Sequence, residues 1–405
     1  MSMLEVAPSA ALATEVPASA AMPRGPVLSA ASFRRRGYPA VPSVLDAGPR
    51  RLVTSGRVAI AQALRLMGVG PGDKVLVPAY HCASMIEPVE WIGATPVFYR
   101  IDATTRVDLD DVAAKCDGAT KVLLAANYFG FPQQLDRLRE FCDTHGLRLL
   151  EDCAHAFLGQ YQGRPLGSWG DYAIASSMKF FPLYEGGALV SARHPLGGVQ
   201  LHSGGWRFNA KVAINVLEKS FAHGRLGGLH ALLALPLALK NQLWHRIKRQ
   251  RPASASAAGP DSSDGGFSFD PGWLDKRSAL VSRLLLRTVS RPRMGALRQR
   301  HYLYLQQALQ GLPGCRPLHP SLPEHVYPWG FPLLVEAPER LFAHLKQRGV
   351  PALRFAQYLV RGVDASVCPT SAHYSQHVLL LPCHQELRQE ELELVVRSVR
   401  EVLAP

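Results

Sequence analysis

The chain has 405 residues, more than one compact core usually holds, so two lobes are expected. Hydrophobic residues make up 47% and charged residues 19%, the balance of a soluble globular enzyme. The net charge of +13 would suit a nucleic acid or an anionic membrane, but no basic run is interleaved with aromatics, so no nucleic-acid partner is expected.

Residues 1–45 are rich in Ala, Pro and Ser, carry a basic knot at Arg34–Arg36 and lack apolar periodicity; they read as a flexible tail, with order beginning near Leu52. Helix and strand signals then alternate. Val58–Met67 has helical spacing, Gly70–Asp73 is a turn, and Lys74–Pro78 is a short strand. Ile86–Ile92 reads as a helix, Thr95–Tyr99 and Lys121–Ala126 as strands, Leu135–Thr144 as a helix and Leu147–Glu151 as a strand. Such alternation argues for an α/β fold: a mostly parallel sheet sandwiched by helices, with ligands beyond the carboxyl ends of the strands. This large domain is assigned to residues 46–204.

Residues 205–290 read as a helical basic insert. Leu226–Leu239 is apolar, Trp244–Arg251 is basic, and 252–266 is a Ser/Ala/Gly-rich flexible loop. The stretch 205–250 is also a candidate for weak association with an anionic membrane surface, against the plainer reading of a packed helical insert. Residues 291–405 form a smaller C-terminal α+β domain, with a strand at Trp329–Val335 and helices at Pro338–Arg348 and Gln389–Leu403. The seven cysteines are scattered without a C-x-x-C pair, so neither a disulfide framework nor a zinc site is expected, and no metal is assigned. No apolar run reaches the ~20 residues that span a bilayer, and no signal peptide is read at the N-terminus. A reducing, cytoplasmic location fits.

Four features carry chemistry. Thr54-Ser55-Gly56-Arg57 opens a helix, whose free N–H groups and positive dipole end suit a phosphate. Glu151-Asp152-Cys153-Ala154-His155 follows an apolar strand, and Asp152 there can pair with a buried cation such as a pyridinium nitrogen. In Ser176-Ser177-Met178-Lys179, a lysine able to form a Schiff base lies in a segment of low charge, beside hydroxyls that can hold a phosphate. Glu185-Gly186-Gly187 enters an apolar strand, where glycine permits close backbone approach. Singly these are a capped helix start, a capping Asp, a surface lysine and a turn. In this order they match a pyridoxal-5'-phosphate pocket.

With these pieces in place, the chain resembles the DegT/DnrJ/EryC1/StrS family of sugar aminotransferases, of the aspartate-aminotransferase fold type I. The resemblance runs over roughly residues 50–200 and 290–405. Its matching segments are SGRVAIAQAL, GVGPGDKVLVPAYHC, GATPVFYRID, HGLRLLEDCAHAFLGQYQGRPLGSWGDYA, K-x5-EGGALV and LLLPCHQELRQEELELVV. It implies pyridoxal phosphate as cofactor and a homodimer with shared active sites. It also implies transfer of an amino group, usually from glutamate, to a keto group of a nucleotide-linked sugar in amino-sugar or polysaccharide biosynthesis. By position, Lys179 is the Schiff-base lysine, Asp152 the pyridinium partner and His155 a neighbour of the ring. Gly56, Arg57 and Ser176 correspond to the phosphate cup. Here Ser176 lies closer to the lysine than the family's serine does, so Ser177 is an alternative. The family pattern P-x-x-T-[FW], which supplies a stacking aromatic, is Pro78-Ala79-Tyr80-His81-Cys82, so stacking falls to Tyr80 or His81. Arg354 is a candidate for an anionic group of the substrate, with Trp206, Trp329 and His384 as further cleft candidates. The alternatives are a pyridoxal-phosphate sugar dehydratase, against which the lysine argues, and a non-catalytic binding or regulatory protein of the same fold.

Overall fold

A computed structural model describes residues 22–233 and 269–404 of the chain. In chain order its strands are β1 (Arg50–Val53), β2 (Lys74–Pro78), β3 (Thr95–Tyr99), β4 (Thr120–Ala126), β5 (Arg148–Asp152), the hairpin pair β6 (Gln160–Tyr161) and β7 (Arg164–Pro165), β8 (Tyr172–Ser176), β9 (Gly187–Val190), β10 (His202–Ser203), β11 (Lys276–Arg277), β12 (Cys315–Pro317), β13 (Gly330–Val335) and β14 (Val378–Pro382). Its α-helices are α1 (Gly56–Leu66), α2 (Ala83–Trp91), α3 (Leu109–Lys115), α4 (Leu135–His145), α5 (Trp206–Ala222), α6 (Leu280–Thr288), α7 (Arg291–Leu309), α8 (Pro338–Gln347), α9 (Pro369–His377) and α10 (Gln389–Leu403).

Among the described residues the large sheet has the order β10-β11-β1-β9-β8-β5-β4-β2-β3. The run β3-β2-β4-β5-β8 is parallel, whereas β8-β9, β9-β1 and β1-β11 are antiparallel. Parallel strands are covered by helices on both faces and need apolar side chains on both. β4 obeys this: Val122, Leu123, Leu124 and Ala125 are fully buried. The helices form where local chemistry starts and stops them. The Ser55 side chain accepts from the Val58 N–H to cap α1, and Gly146 ends α4 in the left-handed conformation that glycine tolerates best. A smaller antiparallel sheet, β12-β13-β14, is contacted by α7, α8 and α9, and α10 packs on α7 and α8, turning Leu392, Val395, Val396 and Val399 inward at helical spacing.

One expectation about organisation is corrected. The segment from residue 22 onward is not a loose tail: Met22, Val27, Val41 and Val44 are buried in it, and its Ser29 and Ser32 hydroxyls donate to Glu386 at 2.8 and 3.3 Å. Each apolar side chain there fills a separate gap in an irregular strap, so no period marks it. Residues 205–290, read as a helical basic insert, also supply a strand. Within them β11 extends the large sheet, pairing with β1 and with the preceding β10, with Arg277 opposite Val53 and the Ser278 N–H bonded to the Leu52 carbonyl at 3.0 Å. The basic segment Trp244–Arg251 and the loop at 252–266 lie outside the described residues. Among the described residues, no helix is long and apolar enough to cross a membrane.

Candidate active site

The site gathers at the carboxyl ends of the parallel strands, where β5 delivers Asp152 and β8 leads through Ser176 into a single helical turn, Ser177–Lys179. Beside them β1 ends at Val53 and passes through Thr54 and Ser55 into α1. Glycine makes the approach of these segments possible. A side chain at Gly187 would place its Cβ 2.4 Å from the Ser55 carbonyl oxygen, and Gly186 takes a φ of +113°. Its amide donates to the Thr54 carbonyl at 2.7 Å, and its carbonyl accepts from the Ser177 N–H at 3.0 Å. The result is a cup floored by the first turn of α1. Ser177 Oγ and Thr54 Oγ1 are buried in it without a hydrogen-bond partner, and the space beside Gly56 is open. Two orphaned hydroxyls at a helix N-terminus are what a phosphate would satisfy. Ser176 sits opposite Gly187 in the β8–β9 register, so both serines border the cup. The Arg57 side chain turns away to pair with Glu87 at 3.0 Å. Its contribution to the cup is its backbone.

The acidic pair divides its labour. Glu151 is fully buried and accepts from the Gly167, Trp169 and Gly170 amides at 2.7, 3.3 and 3.4 Å, which makes it a clamp for that loop. Asp152 takes one amide, from Ala154 at 2.8 Å. Burial raises its pKa, and the amide and the Lys179 charge only partly offset this. Lys179 lines a cleft together with Trp329, Leu353 and His384. Burial also lowers the lysine pKa, with Cys82 and Asp152 opposing the shift and Arg57 adding to it. The lysine Nζ lies 4.6 Å above the Trp329 ring, which stacks on His155 at 4.1 Å. Burial, then the Lys179 charge, hold the His155 pKa well below its ordinary value, so the imidazole is neutral.

Three expected residues are placed differently. Tyr80 is fully buried among Tyr128, Phe129, Phe355 and Tyr374, and His81 bonds the Ala79 carbonyl through Nδ1 while its Nε2 accepts from the Val360 N–H at 3.1 Å. Both are core groups rather than ring-stacking ones. The member of that segment that acts on the Lys179 pKa is Cys82, at the N-cap of α2. Arg354 forms a two-pronged pair with Glu339 at 2.6 and 3.0 Å and donates to the Gln376 carbonyl, which commits its guanidinium within the small domain.

Arg298 was missed among the many arginines of its helix. It is fully buried on α7 and donates to the Lys179, Pro328 and Trp329 carbonyls at 3.0, 2.9 and 3.0 Å and to Gln385 Oε1 at 2.9 Å. Burial pushes its pKa down to about 10. Gln385 in turn donates to the Phe180 carbonyl at 2.8 Å. Trp329 and His384, weak candidates from sequence, do line the cleft, whereas Trp206 lies exposed on α5.

This arrangement of lysine, carboxylate and phosphate cup on a mostly parallel sheet defines a fold type I pyridoxal-phosphate transferase scaffold. The chain belongs to the DegT/DnrJ/EryC1/StrS aminotransferase family, whose model matches residues 52–196 and 274–400. It is 34% identical over 142 residues to the GDP-perosamine synthase of Vibrio cholerae, covering 34% of this chain and 39% of that protein. It is also 34% identical over 164 residues to the UDP-N-acetyl-3-dehydro-alpha-D-glucosamine 3-aminotransferase of Acidithiobacillus ferrooxidans, covering 38% and 43%. The aligned part thus spans roughly two fifths of the length of these curated relatives. The fold is shared with S. venezuelae DesV (TM-score 0.60, 23% identity, 88% of this chain and 85% of that one). It is shared as well with the E. coli GDP-4-keto-6-deoxy-D-mannose-3-dehydratase solved with hydrated pyridoxal phosphate (TM-score 0.61, 16% identity, 88% of each chain).

Proposed function

We propose that the protein is a pyridoxal-phosphate-dependent aminotransferase that moves an amino group from glutamate to a keto group of a nucleotide-linked sugar, in amino-sugar or polysaccharide biosynthesis. It acts as a cytoplasmic homodimer with shared sites. One observation carries the reading: a lysine of lowered pKa and a buried aspartate beside a helix-start cup that holds two partnerless hydroxyls. The kinship with aminotransferases of nucleotide-linked sugars supports the substrate class.

Pyridoxal phosphate, when bound, supplies an aldehyde that exchanges amines and a ring that accepts an electron pair. Thr54, Ser176 and Ser177, with the first N–H groups of α1 at Gly56 and Arg57, would hold its phosphate. Asp152 would pair with its ring nitrogen; a buried carboxylate that is costly alone is stabilised by a cation. Lys179 would be its covalent anchor, and its amine, when free, would move the proton of the donor Cα. Burial favours the neutral amine that this task requires. His155, neutral and buried, stacks on Trp329 beside Lys179 without adding a competing charge. Arg298 is a positioning residue, fixing the lysine's backbone from behind.

Borohydride reduction of the loaded protein followed by peptide mapping tests the assignment. The pyridoxyl label is expected on the peptide carrying Lys179. A label on another lysine, or none, would overturn it.

A further inference from the structure

The cleft that holds Lys179 is walled in part by the strap that begins at Met22. Gly25 and Pro26 line it together with Lys179, Trp329 and Leu353. Pro26 is buried and Gly25 half-buried. A side chain added at Gly25 would meet no atom within 4 Å, and its φ lies outside the left-handed region. The room at this point of the wall is therefore set by the lack of a side chain, not by backbone strain.

The segment His384–Glu386 docks the strap. The Pro23 carbonyl accepts from His384 Nε2 at 2.9 Å, and burial lowers the His384 pKa to about 3, so the ring is neutral with its proton on Nε2. Glu386 accepts from the Ser29 and Ser32 hydroxyls at 2.8 and 3.3 Å and from Arg293 at 2.5 Å. Between these two residues Gln385 serves the lysine. Its amide donates to the Phe180 carbonyl, and its Oε1 accepts from Arg298, which also holds the Lys179 carbonyl. Strap and lysine turn are thus held by neighbouring but separate bonds. Farther along, the Leu28 N–H donates to Ser220 Oγ at 3.1 Å. A segment held by a few polar tethers opens at a lower free-energy cost than the sheet beside it. An uncharged wall discriminates by contact, rejecting what is too wide.

We propose that Gly25 and Pro26 are specificity-determining residues that limit how wide an acceptor can be around its keto group, with the Ser29 and Ser32 tethers to Glu386 keeping the strap closed. The identity of the wall's ligand as an amino acceptor rests on the aminotransferase reading above. The passage to Lys179 does not depend on that reading.

The test uses the full-length protein freed of cofactor, with the Lys179 amine as the probe. Formaldehyde and benzaldehyde each condense with an amine, with loss of water, and cyanoborohydride reduces the imine to a stable label. Peptide mapping compares Lys179 with the exposed Lys121 as internal reference. Wild type is expected to label Lys179 readily with formaldehyde and slowly with benzaldehyde. Ser29→Ala/Ser32→Ala removes both hydroxyl tethers and should raise benzaldehyde labelling of Lys179 about 10-fold, with formaldehyde labelling unchanged. Gly25→Leu fills the open space and should lower benzaldehyde labelling about 10-fold, again with formaldehyde unchanged. An unchanged benzaldehyde-to-formaldehyde ratio in either variant would overturn the proposal. Parallel changes for the two aldehydes would also overturn it, since the whole site would then have loosened or closed without regard to width. Failure of the protein to take up pyridoxal phosphate counts against the aminotransferase reading and leaves the labelling comparison standing.

Discussion

Burial pushes Lys179 and Asp152 toward neutrality from opposite sides: Lys179 loses its proton more easily and Asp152 keeps its proton longer. A cationic ring nitrogen reverses the cost for Asp152, so Asp152→Asn is expected to lower turnover by about 10²–10³-fold. Its melting temperature should stay within a few degrees of wild type, as calorimetry would check; equal losses would mean that the Ala154 turn is its main role. Glu185 makes a cleaner pH prediction. Burial raises its pKa from 4.5 to about 7. Between these values the folded chain binds the proton that the unfolded chain has lost, so this group's contribution to stability falls as pH rises from 4.5 to about 7 and is flat above. The loss is at most about 3 kcal/mol. Denaturant unfolding of wild type and Glu185→Gln at about pH 5 and about pH 8 should show wild type losing ground to the variant at the higher pH. The structure brings together Lys179, singled out in the sequence by its segment of low charge, and Asp152, singled out as one of an acidic pair after an apolar strand. Arg298 was not singled out, because its partners across the fold leave no local signature: it answers to carbonyls thirty residues and more away.

At the scale of elements, the cup depends on β9 passing against the start of α1. Gly187→Ala would drive a methyl group into the Ser55 carbonyl and force the two apart. A cost of about 1–3 kcal/mol in stability is expected, with weaker retention of the cofactor on dialysis. Unchanged retention would remove the cup from the phosphate role. Arg298→Met should cost about 2–4 kcal/mol, since three carbonyls and Gln385 would lose a buried donor. Urea unfolding would measure it. β2, β3 and α10 fall where their patterns put them, because alternation and helical spacing over five residues or more are strong signals. β10 and β11 escaped notice: two-residue strands have no period, and their place is set by pairing with β1 and with each other.

For the whole molecule, the α/β class followed from alternation along the chain, whereas the order of residues 22–45 did not. Their order comes from contacts with Glu386 and His384, hundreds of residues away in the chain. The proposed homodimer predicts sedimentation at twice the 44.3 kDa chain mass; a single-chain mass at working concentration would refute it. The exposed Trp206, Leu280 and Leu284 on the neighbouring helices α5 and α6 are consistent with surface that a second subunit covers. The central claim, that Lys179 and its cup run amino transfer, is tested most directly by the visible absorption spectrum of the purified protein with pyridoxal phosphate, before and after glutamate. A yellow band that bleaches on adding glutamate is the expected result. A protein that never takes up the cofactor, or a band that no amino donor changes, would contradict it.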